Sequence, residues 1–278
     1  MSENIKRILV SLIGGPVILG SIYLGGVYFF IVVTIISLLC QLEFYNIAEQ
    51  KNVKIYKYLG LLAGFALLCL YYLNKEEYFL PAILSISLMF FILELFSGRE
   101  TPMLNMSLSV AGIIYPTLLI GTLYPLRQLN NVRDIPGLNL IIAILAGVWL
   151  CDTAAYYIGK NIGKHKLLPR VSPNKTWEGS AAGFIASLTA IASLKYYGFL
   201  GDSFTTVDVI MLSLFTGVGG QLGDLFESLI KRDAGVKDSG FLLPGHGGFL
   251  DRFDALIFAA PLAYLYIFYA DLFIYILY

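Results

Sequence analysis

Apolar runs of about 20 residues recur along the whole of this 278-residue chain, and they restrict its fold more than any other feature. A run of that length crosses the hydrocarbon core of a bilayer as a helix, which satisfies every backbone N–H and C=O internally. Only 14% of the residues are charged, against about 25% in a typical soluble domain. The sequence therefore predicts an all-α, polytopic integral-membrane protein.

The apolar runs define about nine predicted transmembrane helices, joined by connections that are mostly short. The predicted spans cover residues 7–24, 27–46, 56–73, 78–96, 106–125, 138–159, 178–198, 206–230 and 254–277. Because no polar stretch is long enough for a soluble domain, we predict a single integral-membrane domain over 1–278. Within it, 1–137 supplies N-terminal transmembrane helices, and 138–278 contains nearly all the residues that suggest chemistry.

Lysine and arginine are distributed unevenly between the two predicted sides of the membrane. With the N-terminus in the cytoplasm, 15 of the 19 Lys and Arg lie on the cytoplasmic side and 4 on the other. Cytoplasmic loops of membrane proteins carry such an excess. We therefore predict a multi-pass protein of the cell (inner) membrane whose N-terminus and longest connections, 160–177 and 231–253, face the cytoplasm.

Three aspartates lie inside or at the edge of the last two predicted spans. Asp224 follows a long apolar run and shares a helical face with Glu227, and Asp251 and Asp254 lie three residues apart at the start of the last span. Carboxylates at such positions are costly and often functional, although Asp254 could simply complement the helix dipole. Because the three aspartates are predicted on one membrane side, a cation would relieve their repulsion, and carboxylates together with phosphates suit Mg²⁺.

The connection between the last two spans also carries basic residues and glycines. Lys231, Arg232, Lys237 and Arg252 are predicted to neutralise a polyphosphate. Gly247 and Gly248 would let backbone N–H groups approach a ligand, although a plain turn could use the same residues. His246 leaves three alternatives open, namely a phosphate donor, a general acid or base, and a loop hydrogen bond.

A second group of polar residues lies in and after the sixth span. Ser172 is predicted to open a turn, and Thr176 to cap the helix that follows. Lys175 comes just before that helix start, where unsatisfied N–H groups already favour an anion. Asp152 lies inside the span 138–159 and needs a partner, for which Lys175 or a metal-bound ligand would serve, with a structural hydrogen bond as the alternative.

The run SLIKRDAGVKDSGFLLPGHGGFLDRFD, residues 228–254, resembles the signature of the integral-membrane CDP-diacylglycerol synthases, also named phosphatidate cytidylyltransferases. The segments SPNKTWEG and CDTAAYYIGKNIGKHK resemble further pieces of that family. The resemblance implies the reaction of CTP with phosphatidic acid to give CDP-diacylglycerol and pyrophosphate at the cytoplasmic membrane face. It also implies a lipid bilayer as environment and no nucleic-acid partner, and it allows a homodimer.

The resemblance implies Mg²⁺ as the cofactor, with a second cation such as K⁺ beside it. Asp224 and Asp251 would bind the metal, with Asp254 close by. The predicted catalytic residues are Asp224, Asp251, Lys175, Lys231 and Arg232. The predicted substrate-binding residues are Asp152, Ser172, Lys175, Lys237, His246, Gly247, Gly248 and Arg252. No strong general base is required, because the phosphatidate headgroup is already ionised near pH 7.

Two other functions fit parts of the pattern. A CTP-dependent lipid kinase would also need metal, CTP and a membrane site, but it would release CDP instead of pyrophosphate. A transporter would accommodate intramembrane charges and interrupted helices, yet its site would lie near the bilayer midplane between corresponding halves. The charge here collects on one side and late in the chain, which argues against a transporter, and the long motif over residues 228–254 favours the transferase over the kinase.

Overall fold

The structure is a computed structural model that describes residues 3–129, 136–242 and 247–277, with side chains from 12 to 269 inside those ranges. Most of these residues are helical. The first helices are α1 (Glu3–Leu24), α2 (Gly26–Glu49), α3 (Lys57–Tyr72), a 3₁₀ turn (Glu76–Tyr78) and α4 (Phe79–Leu95). They are followed by α5 (Pro102–Gly112), a π-helical turn (Ile113–Leu118), α6 (Leu119–Gly121) and α7 (Leu123–Gln128).

The remaining helices carry most of the predicted site residues. They are α8 (Gly137–Ile162), α9 (Trp177–Tyr196), α10 (Thr206–Leu214), a π-helical turn (Phe215–Gly219), α11 (Gly220–Asp233) and α12 (Leu250–Leu277). α8 and α9 approach each other closely because Gly179 and Gly183, four residues apart on α9, face the backbone of α8 at Ala155 and Cys151. Small residues at this spacing are typical of packed membrane helices.

Six helical segments of the described chain are long and apolar enough to span a membrane. They are Gly26–Glu49, Glu76–Leu95, Pro102–Gln128, Gly137–Ile162, Thr206–Asp233 and Leu250–Tyr269. The prediction of an all-α polytopic membrane protein is therefore confirmed, whereas the number of nine spans is not.

The three predicted spans outside this set all lie on helices. α3 has 16 residues and rises only about 24 Å at 1.5 Å per residue, short of the roughly 30 Å hydrocarbon core. The side chains of α1 are described only from Leu12, which leaves the short apolar helix Leu12–Leu24. α9 is rich in Ala, Ser and Gly and carries Glu178 and Lys195, and it is not apolar enough to belong to the six candidate spans.

The surface of α4 shows why this chain requires lipid. Leu80, Leu84, Leu88 and Phe91 are all at least half exposed, whereas Phe90 and Glu94 on the same helix are buried. The exposed leucines recur every four residues, so they form one apolar face. A continuous apolar face of this size is unusual on a soluble monomer and is the expected surface of a helix in a bilayer.

A short antiparallel hairpin interrupts the helical pattern of the described residues. Strand β1 (Lys166–Leu168) pairs with β2 (Ser172–Thr176), so that Lys166 lies opposite Thr176 and Leu168 opposite Ser172. The predicted turn at Ser172 is therefore wrong, because Ser172 is the first residue of β2 and the turn precedes it. The hairpin leads directly into α9.

The chain divides into two compact units. The first unit comprises Met1–Tyr124 and Ile230–Phe253, and the second comprises Pro125–Leu229 and Asp254–Tyr278. In the first unit, Tyr45 lies between Gly60 and Gly112, and its hydroxyl donates a 2.7 Å hydrogen bond to the carbonyl of Ser109. Such pairing is needed because a buried hydroxyl in a membrane protein finds little water. The predicted single domain over 1–278 stays a prediction.

Candidate active site

The second unit contains an ion pair between Lys175 at the end of β2 and Asp224 in α11. Lys175 Nζ lies 2.6 Å from Asp224 Oδ2, and the two side chains are 25% and 35% exposed, so a ligand can reach both. Thr176, the next residue, caps α9 as predicted, because its Oγ1 accepts the N–H of Gly179 at 3.2 Å. The cap fixes the end of β2 and with it the position of the lysine.

Glu178 holds the loop that enters the hairpin. Its carboxylate accepts the backbone N–H groups of Lys164 and His165 at 3.1 and 3.2 Å, and His165 Nδ1 lies 2.6 Å from Glu178 Oε1. Hydrogen bonds from its own backbone N–H and then from the His165 side chain lower the pKa of Glu178 to about 2. The carboxylate is therefore ionised at neutral pH and secures the connection between α8 and the hairpin.

Four carboxylates and one ammonium group form the lysine–carboxylate cluster of the second unit. Its members are Asp152, Lys175, Asp224, Glu227 and Asp254. The charges of Asp224 and Lys175 act on Asp152, and the charges of Asp224, Glu227 and Asp152 act on Asp254. In their ionised forms, four acidic groups near one basic group would repel each other, and a bound cation would lower that energy.

The sequence of α11 explains how the cluster forms. Asp224, Glu227 and Ser228 share one helical face, and Ser228 Oγ donates a 3.4 Å hydrogen bond to Asp224 Oδ1. Gly223 permits the close approach of Asp254, because a Cβ at position 223 would overlap the Asp254 carbonyl oxygen. Glu227 is fully buried, so of the two α11 carboxylates in the cluster Asp224 is the accessible one.

The π-helical turn ahead of α11 sets the position of this face. Gln221 Nε2 donates to the carbonyl oxygens of Gly217 at 2.8 Å and Ser180 at 3.1 Å, so it ties the turn to α9. π-Helical turns interrupt the regular hydrogen-bond ladder and recur at functional sites. Here the π-helical segment ends at Gly219, less than two turns of α-helix before Asp224.

The oxygen ligands of the cluster suit a hard divalent cation. Asp224 and Asp254, two of the predicted metal ligands, both belong to it, and carboxylate oxygens are the ligands that Mg²⁺ prefers. Within the described ranges, however, no three His, Cys, Asp or Glu side chains are placed to hold a metal ion by themselves. Mg²⁺ commonly completes its shell with water and substrate phosphates, and the cluster fits that kind of site.

Asp251, the remaining predicted metal ligand, belongs to a network in the first unit. Its Oδ1 accepts from Lys231 Nζ at 2.6 Å, and its Oδ2 accepts the backbone N–H groups of Ser239 at 3.0 Å and Gly248 at 2.9 Å. The side chains of Lys231 and Asp251 are 11% and 12% exposed. These charge-assisted bonds fix Asp251 firmly at the start of α12.

The same network contains a residue that the sequence reasoning missed. Glu43 in α2 is 1% exposed, and its carboxylate accepts hydrogen bonds from Ser239 Oγ, the N–H of Phe249 and the N–H of Leu250. A lone carboxylate inside the predicted span 27–46 was the signal that could have identified it, because such residues are usually functional. We name the set of Glu43, Lys231, Ser239, Gly248 and Asp251 the signature-loop network.

The other predicted basic residues lie at the surface of the first unit. Arg232, Lys237 and Arg252 are exposed, and Arg232 donates a 3.1 Å hydrogen bond to the carbonyl of Val236. Exposed side chains of this kind can reach a phosphate-bearing ligand. Gly247 adopts a positive φ of 81°, which favours glycine. His246 lies outside the described residues.

The structure thus groups the predicted site residues into two sets. The lysine–carboxylate cluster of the second unit contains Asp152, Lys175, Asp224 and Asp254. Ser172 is the first residue of β2, the strand that contains Lys175. Asp251, Lys231, Arg232, Lys237, Gly247, Gly248 and Arg252 belong to the first unit. The predicted convergence of Asp224 with Asp251 stays a prediction.

Comparison with known proteins gives a consistent result. The model of the cytidylyltransferase family matches residues 5–270. The phosphatidate cytidylyltransferase of Bacillus subtilis strain 168 is 32% identical over 270 residues, which cover 95% of this chain and 97% of the relative. The enzyme of the same name from Staphylococcus saprophyticus is 42% identical over 167 residues, 60% of this chain and 59% of the relative. The phosphatidate cytidylyltransferase of Staphylococcus aureus strain COL is 52% identical over 128 residues, which cover 45% of this chain and 48% of the relative.

Proposed function

Because the chain belongs to the cytidylyltransferase family, we propose that it transfers a cytidylyl group from CTP to phosphatidic acid and releases pyrophosphate. The product is CDP-diacylglycerol, and the enzyme is a membrane-bound nucleotidyltransferase. The observation that carries the proposal is the match to a phosphatidate cytidylyltransferase along 95% of the chain. The lysine–carboxylate cluster supports it, because such a cluster at a membrane helix suits a metal-bound polyphosphate.

In the proposed reaction an oxygen of the phosphatidate headgroup forms a bond to the α-phosphorus of CTP. The bond from that phosphorus to the bridging oxygen of pyrophosphate breaks, and the pyrophosphate carries away the electron pair. Transfers of this kind depend mainly on positioning and on neutralising the phosphate charge. The protein groups proposed for that work are Lys175, Lys231, Arg232, Lys237 and Arg252.

The proposed cofactor is Mg²⁺. The cluster supports Asp224 and Asp254 as its ligands, and the resemblance implies Asp224 and Asp251. Bound Mg²⁺ would offset the charge of the CTP phosphates and of the departing pyrophosphate. A second cation such as K⁺ is proposed beside it. Asp152, Ser172, His246, Gly247 and Gly248 are proposed to line the substrates, with the active site on the cytoplasmic side of the cell membrane.

The products of the purified protein in detergent micelles test this function. With phosphatidic acid and CTP labelled at the α-phosphate, we expect the label in the lipid and unlabelled pyrophosphate in solution. A CTP-dependent lipid kinase would instead transfer a γ-phosphate label to its lipid and release CDP. A transporter would leave CTP unchanged.

Mass photometry of the same sample would show whether the proposed homodimer exists.

A further inference from the structure

Glu43 anchors the start of α12 from a different helix. Its Oε1 lies 3.0 Å from the backbone nitrogen of Phe249, and its Oε2 lies 2.8 Å from that of Leu250. The first N–H groups of any helix lack partners within the helix, and the helix dipole makes this end positive. Glu43 therefore acts as an N-cap that α2 supplies to α12.

The hydrogen bonds explain why a carboxylate can be buried here. An ionised carboxylate that is removed from water is strongly destabilising unless it is paired and hydrogen-bonded. Glu43 receives two backbone N–H groups and the Ser239 hydroxyl at 2.9 Å. These three donors give both carboxylate oxygens of Glu43 a hydrogen-bond partner at the positive end of a helix. A carboxylate that stays buried despite the cost of removing it from water points to a role in holding the segment between Ser239 and Leu250.

The glycines around Glu43 fit the same arrangement. A Cβ at Gly240 would overlap the Glu43 carboxylate, and a Cβ at Gly248 would overlap both that carboxylate and the Ser239 hydroxyl. These two glycines let the backbone close around the carboxylate on both sides. Glu43 thereby fixes the two ends of the segment between Ser239 and Leu250.

Ser239 transmits this anchoring to Asp251. The Ser239 hydroxyl donates to Glu43 and accepts the N–H of Asp251 at 3.3 Å, and the Ser239 N–H donates to Asp251 Oδ2 at 3.0 Å. Gly248, next to Phe249, donates its N–H to the same Oδ2 at 2.9 Å. These two N–H groups, which donate to Asp251 Oδ2, are therefore held, directly or through the next peptide, by Glu43.

We propose that Glu43 is a positioning residue for the transferase: it fixes Ser239 and the first residues of α12, and these orient Asp251 and its partner Lys231. The expected effect of Glu43 on turnover rests on the proposed function. Its expected effect on the position of Ser239 and the start of α12 does not. Glu43 itself contacts neither Asp251 nor Lys231 in the hydrogen bonds described above, so it acts through its neighbours.

The test compares Glu43→Gln with Glu94→Gln in the full-length protein. Glu94 is a matched control, because it is a buried carboxylate of the first unit that bonds Tyr56 and Asn105, away from the signature-loop network. In Glu43→Gln an amide NH₂ faces backbone N–H donors, so we expect kcat to fall about 10- to 100-fold while the KM for CTP changes less than about threefold. Glu94→Gln should retain kcat per folded molecule.

Hydrogen exchange provides a readout that does not depend on activity. In Glu43→Gln the amides of Phe249 and Leu250 should exchange at least about tenfold faster, a factor equivalent to about 1.4 kcal/mol, and those of α3 should not change. Ser239→Ala is a milder change and should reproduce part of the fall in kcat and part of the faster exchange. Glu43→Asp keeps the carboxylate and should recover part of the turnover that Glu43→Gln loses.

Three results would overturn the proposal: full turnover by folded Glu43→Gln, an equal loss in Glu94→Gln, or faster exchange spread evenly over the first unit. If instead the unaltered protein turned over no CTP, the proposed function would fail, while the exchange results would still decide whether Glu43 holds the loop.

Discussion

Lys175 and Asp224 approach within 2.6 Å of each other although they come from a β-hairpin and a membrane-spanning helix. A positive group that meets a partly exposed carboxylate beside three further acidic side chains has two functions. It reduces repulsion within the protein, and in the proposed reaction it would offer an ammonium group to a phosphate. In the proposed reaction the pair would therefore link a cation site with a phosphate site.

Replacement of Asp224 should abolish turnover. In Asp224→Asn the cluster loses the more accessible of its two α11 carboxylates and Lys175 loses its counter-charge, so we expect kcat to fall at least about 100-fold. Initial rates with saturating CTP and phosphatidic acid measure the effect.

Asp233→Asn is the matched control on the same helix. Asp233 forms an exposed ion pair with Lys51, and its side chain is 65% exposed. Exposed pairs of this kind contribute about 0–1 kcal/mol to stability, so turnover should stay within about twofold of the unaltered protein. If both variants were equally impaired, the specific role of Asp224 would be refuted.

Replacement of His246 should be mild by comparison. The phosphatidate headgroup is already ionised near pH 7, so the attack on CTP requires no strong general base. We expect His246→Ala to keep more than about a tenth of the kcat. The pH–rate profile between pH 6 and 8 should keep its shape, and a loss as large as that of Asp224→Asn would show that a base is needed.

Much of the fold was predictable because its signals are local. The apolar runs predicted where the helices lie, and the order Lys175, Thr176 predicted a capped helix start that the structure confirms. The depth of Asp224 in an apolar segment marked it as a candidate. The number of spans was less predictable, because a helix such as α3 is apolar but too short to span the bilayer unaided.

Other features depend on contacts between distant segments. Glu43 and Ser239 are 196 residues apart, and no periodicity in α2 indicates that one of its carboxylates caps α12. The hairpin is similarly hidden, because strands of three and five residues are too short to show alternation, and Pro173 in β2 argued for a turn. The hydrogen bonds that hold Asp251 come partly from backbone groups, which sequence patterns do not report.

Substitution of Gly248 should disturb the signature-loop network without changing any charge. In Gly248→Ala the new methyl group would overlap the Ser239 hydroxyl and the Glu43 carboxylate, so the loop must shift and the bond from residue 248 to Asp251 must weaken. We expect kcat to fall about tenfold or more and the melting temperature to drop by a few degrees. Gly20→Ala is the control, because among the described residues no atom beyond the neighbouring backbone of its own helix lies within 4 Å of the added methyl group, and it should match the unaltered protein in both measurements.

Mg²⁺ should bind tightly only in the presence of nucleotide. In the part of the chain that the structure describes, no three acidic, histidine or cysteine side chains can hold a metal by themselves, so Asp224 and Asp254 would supply too few ligands without phosphate oxygens. Titration calorimetry with Mg²⁺ should therefore show an affinity at least about tenfold higher with a non-hydrolysable CTP analogue than without it. The analogue's own binding to Mg²⁺ is subtracted in a protein-free titration.

Two variants provide the controls for this measurement. In Asp224→Asn the increase in Mg²⁺ affinity caused by the analogue should disappear, whereas in Asp233→Asn it should persist. Equal affinities with and without the analogue would mean that the protein forms a complete metal site alone, and the proposed dependence on substrate phosphates would be wrong.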